Sequence, residues 1–99
     1  MKKESIIAFL EEIKAGYCKH IKAMKNEQRM QRNKINEMKK HYGYFKDILK
    51  PSFDDVCEYR MEKHNCKQID AYLLRLKNRI KETDRNVSML DYAIKVLRK

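Results

Sequence analysis

Cys18-Lys19-His20 and His64-Asn65-Cys66 are the tight cysteine–histidine pairs of this 99-residue chain. A thiolate and an imidazole are both ligands for a borderline cation, but structural zinc sites place two or more residues between paired ligands, and one residue stands between these. His41, Glu62 and His64 approach one another if the chain folds back so that residue 41 faces about residue 62. The reading adopted for these three is a solvated polar cluster, with no metal and no cofactor. A cysteine or serine nucleophile needs a base and an oxyanion hole inside a concavity, and no phosphate-binding glycine loop is present. The chain is expected not to be an enzyme. Tyr42, Tyr44, Tyr59 and Tyr72 have the ring type that stacks on bases, although Tyr42 and Tyr59 also fit a packed seam.

The elements that position these groups are helices. Two glycines and one proline leave few turn-formers, and the abundant Lys, Arg, Glu, Met, Leu and Ile favour helix. Apolar or seam positions recur in steps of three and four at Ile6, Leu10, Ile13, Tyr17, Ile21 and Met24, then Gln28 and Gln31, then Ile35, Met38, Tyr42, Phe45 and Leu49. That is a helical stripe near the heptad period, with a polar interruption in its middle. Pro51 disfavours helical geometry at Lys50, and Ser52 with Asp55 three residues on can cap a new helix. From Cys66 the second stripe runs Ile69, Leu73, Leu76, Ile80, Thr83, Val87, Leu90, Ile94 and Leu97 without a break.

The two stripes mirror each other about Pro51, pairing Leu49 with Phe53, Phe45 with Cys57 and Ile6 with Leu97. The predicted fold is all-α: a long antiparallel helical hairpin, coiled-coil-like, forming one helical domain over 1–99. Its helices span about 4–49 and about 53–98, with a turn at 50–52. The alternative is a three-helix bundle in which the first arm breaks near 25–34, a stretch whose one apolar residue is Met30.

A two-helix hairpin buries one seam per helix, which is thin for so small a chain. Ile6, Ile7, Phe9 and Leu10 near the start, and Leu90, Ala93, Ile94, Val96 and Leu97 near the end, form a predicted apolar association patch, widened by Met89 and Tyr92. A second copy laid on it would give a four-helix homodimer. The stretch from Arg60-Met61-Glu62-Lys63-His64 to Leu90-Asp91-Tyr92-Ala93-Ile94-Lys95 resembles the long dimerisation helix that ends small MerR-type transcription regulators. The resemblance implies a dimerising helix; the first fifty residues carry nothing of that family's winged helix-turn-helix.

Charge is the main functional clue. The formal net charge is +10, and such an excess attracts polyanions or acidic protein surfaces. Residues 19–40 hold eight basic side chains against Glu27 and Glu37, and residues 63–85 hold seven against Asp70, Glu82 and Asp84; these windows account for the whole excess. From them Lys22, Lys25, Arg29, Arg32, Lys39, Lys40, Arg75, Lys77, Arg79 and Lys81 form a predicted belt for an anionic partner. The expected function is that of a non-enzymatic docking protein on a protein with an acidic surface, such as a small regulator or inhibitor of a nucleic-acid-processing complex of the phage or mobile-element type. The alternative is direct nucleic-acid binding without sequence specificity, since a basic belt gives phosphate affinity alone. No apolar run approaches the length that spans a bilayer. The stretch from Ser5 to Glu11 is too short for a signal-peptide core, and three cysteines without framework spacing fit a reducing compartment. A cytoplasmic protein with no membrane partner is the expectation.

Overall fold

The computed structural model describes residues 2–46 and 50–99, and the side chains of those residues apart from 42–46. The chain is all-α. Helix α1 spans Lys3–Lys46 and helix α2 spans Phe53–Arg98, the two arms of an antiparallel helical hairpin. These bounds agree with the expected arms wherever they can be compared; residues 47–49, where the first arm was expected to end, lie outside the described residues.

Helix α1 runs through residues 25–34 without interruption, which overturns the three-helix alternative. The local chemistry explains it. Lys, Glu, Gln, Arg and Met lose little rotamer freedom in a helix, and the polar seam positions are accommodated: Gln28 and Gln31 are half-buried, and Gln31 Nε2 donates to Glu27 Oε1 at 2.9 Å, one turn back.

The start of α2 is fixed by a reciprocal cap. The Asp55 N–H donates to Ser52 Oγ at 3.2 Å, and the Ser52 N–H donates to Asp55 Oδ2 at 2.9 Å. Two donors that the first helical turn would otherwise leave unsatisfied are thereby bonded. The Ser52 backbone N–H first, and its side chain second, hold the Asp55 carboxyl below the usual aspartate range.

Helix packing falls into two compact units. The first joins Met1–Asn26 with Lys77–Lys99, and its buried residues are Ile21, Met24, Ile80 and Ile94. The second is Glu27–Leu76, with Ile35, Cys66 and Leu76 buried. All seven occupy positions of the predicted stripes. Fully burying one such aliphatic side chain contributes about 1.5–3 kcal/mol, yet none of the described side chains falls below 2 % exposure. The seam of each unit is thin. Thr83, within it, donates its hydroxyl to the Arg79 carbonyl at 2.8 Å, so the polar group is satisfied inside its own helix.

One expectation at the turn changes. Phe53 is 82 % exposed and is not part of the seam, because it is the first residue of α2 and precedes the first turn that packs. Its expected partner Leu49, and the Phe45–Cys57 pairing, lie outside the described residues. Among the described residues no helix is long and apolar enough to cross a membrane.

Candidate interaction surfaces

The histidine cluster forms in part. His41 Nδ1 lies 2.7 Å from Glu62 Oε1, the facing expected from the hairpin register. His64 instead pairs with Gln68 on its own helix at 3.0 Å. Glu62 Oε2 is buried without a hydrogen-bond partner, but among the described residues no three His, Cys, Asp or Glu side chains gather as a metal site. The cysteines are free thiols: Cys18 exposed, Cys57 half-buried, Cys66 buried. Burial, followed by the carboxylate of Asp70, pushes the Cys66 thiol up, with Lys39 opposing and Glu62 adding slightly. Since the thiolate is the reactive form, Cys66 acts as a small packing residue.

In the first unit the seam has two unlike flanks. One is ionic. Lys14 Nζ meets Asp91 Oδ1 at 2.5 Å, and the Arg98 guanidinium donates to Glu11. Hydrogen bonding to Asp91, then its charge, raises the Lys14 pKa above its ordinary 10.5. A shallow groove of about 480 Å³ runs between these groups, with Ser88 and Lys95 in its lining.

At about 100° per residue around a helix, Phe9 falls on the opposite flank of α1, and Met89, Ala93 and Val96 fall on the matching flank of α2. Tyr92 lies on the outer face of α2 and lines the groove of the ionic flank with Ser88 and Lys95. Phe9 is 61 % exposed, Met89 70 %, Tyr92 72 % and Val96 49 %. Gly16, two turns on from Phe9, opens onto space: a Cβ there would meet nothing within 4 Å. Of the predicted association patch, Phe9 and Val96 are exposed, while Ile6, Ile7, Leu10, Leu90, Ala93 and Leu97 are half-buried. Ile94 is buried in the seam of its own hairpin, which removes it from any patch open to a partner.

All ten residues of the predicted basic belt are exposed. Among the described residues the ion pairs are Lys14–Asp91, Arg98–Glu11 and His41–Glu62, so none of the ten is paired. Lys22, Lys25, Lys77, Arg79 and Lys81 belong to the first unit, and Arg29, Arg32, Lys39, Lys40 and Arg75 to the second.

Within the second unit the basic residues separate. Arg29, Arg32, Asn36 and Lys39 follow a three-four-three spacing and form one row on α1, with Lys40 beside it. Arg75 is on the other flank, where with Lys34 it lines an open groove of about 720 Å³. Gln31 and Met38 of α1, and Asn65, Gln68, Ile69, Ala71 and Tyr72 of α2, complete that lining. The sequence reading missed this groove. Its signal was Lys34 on one arm, beside the seam positions Gln31 and Met38, and the spacing of Asn65, Gln68, Tyr72 and Arg75 on the other, a helical row off the seam.

No protein-family model, curated protein or solved structure matches the chain.

Proposed function

We propose that this chain is a non-enzymatic helical interaction protein whose partners are proteins: a second copy of itself at the apolar flank of the first unit, and an acidic surface at the basic row of the second. The observation that carries this reading is the exposure of Phe9, Met89 and Val96 on one flank of the first unit. Exposed apolar residues gathered in this way mark protein contacts, and a phosphate backbone offers nothing to cover them. A second copy on that flank would turn two thin seams into a four-helix core.

The row Arg29, Arg32, Lys39 and Lys40 supports the acidic partner. Its head groups are exposed and have no counter-ion among the described residues, and guanidinium groups fork onto carboxylates. A charged hairpin of this kind acts by occupying a surface. That suits a small regulator or inhibitor of a nucleic-acid-processing complex, of the type that phages and mobile elements encode.

Light scattering at tens of micromolar tests the first half: the wild type should have the mass of a dimer, and Phe9→Asp with Met89→Asp that of a monomer. A monomeric wild type removes the self-association. A polyglutamate probe and a pull-down from native lysate test the second half. Arg29→Glu, Arg32→Glu and Lys39→Glu together should abolish binding while circular dichroism stays helical; unchanged binding by that variant rejects the row as a docking surface.

A further inference from the structure

The groove on the other flank of the second unit contains no carboxylate in its lining. Its cations are Lys34 and Arg75, both exposed and neither in an ion pair among the described residues. Its aromatic residue is Tyr72, half-buried, with Ile69 and Met38 also half-buried at the seam edge. Its remaining polar groups are the carboxamides of Gln31, Asn65 and Gln68. The volume of about 720 Å³ lies within the range of small-ligand sites.

We propose that this groove binds single-stranded nucleic acid, with Tyr72 stacking on a base, Lys34 and Arg75 engaging the phosphates on either side, and the carboxamides meeting the base edge. The composition distinguishes this from an acidic peptide. A carboxylate asks only for donors, whereas a base edge presents donors and acceptors together, which Asn and Gln match and Lys or Arg alone do not. A ring set beside unpaired cations is the arrangement that sequence-tolerant single-strand binders use. A duplex keeps its bases stacked inside and cannot offer one to Tyr72. The inference goes beyond the protein-docking reading and uses other residues, so either can fail without the other.

The test is fluorescence anisotropy of the full chain with labelled oligothymidylate, a mixed-sequence RNA strand and a DNA duplex, at about 50 and about 200 mM salt. The expected result is binding of both single strands in preference to the duplex, weakened by salt. Tyr72→Ala should reduce single-strand affinity roughly ten- to hundredfold and Tyr72→Phe should preserve it, because the ring and not the hydroxyl stacks. Lys34→Glu with Arg75→Glu should lower both the affinity and its salt dependence, while Arg29→Glu with Arg32→Glu on the opposite flank should reduce it far less. The Phe variant and circular dichroism separate loss of stacking from loss of fold. The proposal is overturned if the wild type binds no single strand at the lower salt, if the duplex binds equally well, if Tyr72→Ala binds like wild type, or if polyglutamate displaces the strand from the groove at equal charge concentration.

Discussion

Lys14 and Asp91 meet at 2.5 Å across the seam of the first unit, on the flank that also holds the Arg98–Glu11 pair. Both side chains are well exposed, at 37 % and 50 %, so solvent screens the pair and its direct contribution to stability is small. Its structural consequence is sidedness: the charged flank is already satisfied internally, and the apolar flank with Phe9 and Val96 is the one left open.

That pair gives a pH prediction. Asp91 raises the Lys14 pKa above 10.5, so the stabilisation is fully present below the ordinary lysine value and is lost as pH rises through the raised one. Asp91→Asn should therefore lower the melting temperature slightly at neutral pH, and the difference from wild type should vanish in strongly alkaline buffer. NMR titration of the Lys14 side chain should return its pKa towards the ordinary value in the variant.

The cap at the start of α2 titrates in the opposite direction. Ser52 holds the Asp55 carboxyl below its usual 3.8, so its contribution is present above the unfolded aspartate pKa and is lost as pH falls through the depressed one. Ser52→Ala should cost about 1 kcal/mol, the ordinary value for a lost N-cap, in urea denaturation at pH 6. Ser52→Ala keeps the backbone N–H that holds the Asp55 carboxylate, so its gap from wild type should depend little on pH. The gap between Asp55→Ala and wild type should instead narrow at pH values below the depressed pKa. A gap independent of pH for Asp55→Ala would mean that the Asp55 carboxylate plays no part in the cap.

Buried and exposed apolar residues of the first unit should respond differently to truncation. Ile94 is buried at 5 %, whereas Met89, five residues away, is 70 % exposed. Ile94→Ala is expected to cost about 2–5 kcal/mol, enough to melt a hairpin with so thin a seam. Met89→Ala should leave the helicity of the dilute chain unchanged and lower the melting temperature only at concentrations where two copies associate, because a dimer's stability depends on protomer concentration.

The same contrast shows what the sequence displayed and what it hid. Burial at Ile21, Met24, Ile35, Leu76, Ile80 and Ile94 was legible because a three-four repeat admits one helical face, and the mirror about Pro51 set the register closely enough to bring His41 to Glu62. The flanks were harder to read. Lys77 and Arg79 are two residues apart and both basic, but two residues turn the helix by about 200°, so proximity in sequence made one belt out of surfaces that face different ways. Tyr72 was visible as an aromatic off the seam, yet its grouping with Lys34 depends on which flanks of the two arms lie on the same side. A list of apolar positions does not contain that information.

Gly16 provides the last prediction. It lies inside α1 with no unusual backbone conformation among the described glycines, and a Cβ there has nothing within 4 Å. Glycine in a helix interior is less favourable than alanine by about 0.8–1.0 kcal/mol, since it surrenders more backbone freedom on folding. With no steric term opposing it, Gly16→Ala should stabilise the chain by about that amount, read as a higher urea midpoint at unchanged slope. Gly16 also lies on the flank of Phe9, so a larger residue bears on the proposed dimer: Gly16→Leu should keep the helicity of the dilute chain but weaken association if the second copy approaches closely at that turn. Equal dimer mass for Gly16→Leu and wild type would place the copy's contact nearer Met89 and Val96, and a destabilised Gly16→Ala would show that the space beside Gly16 is filled in the folded protein.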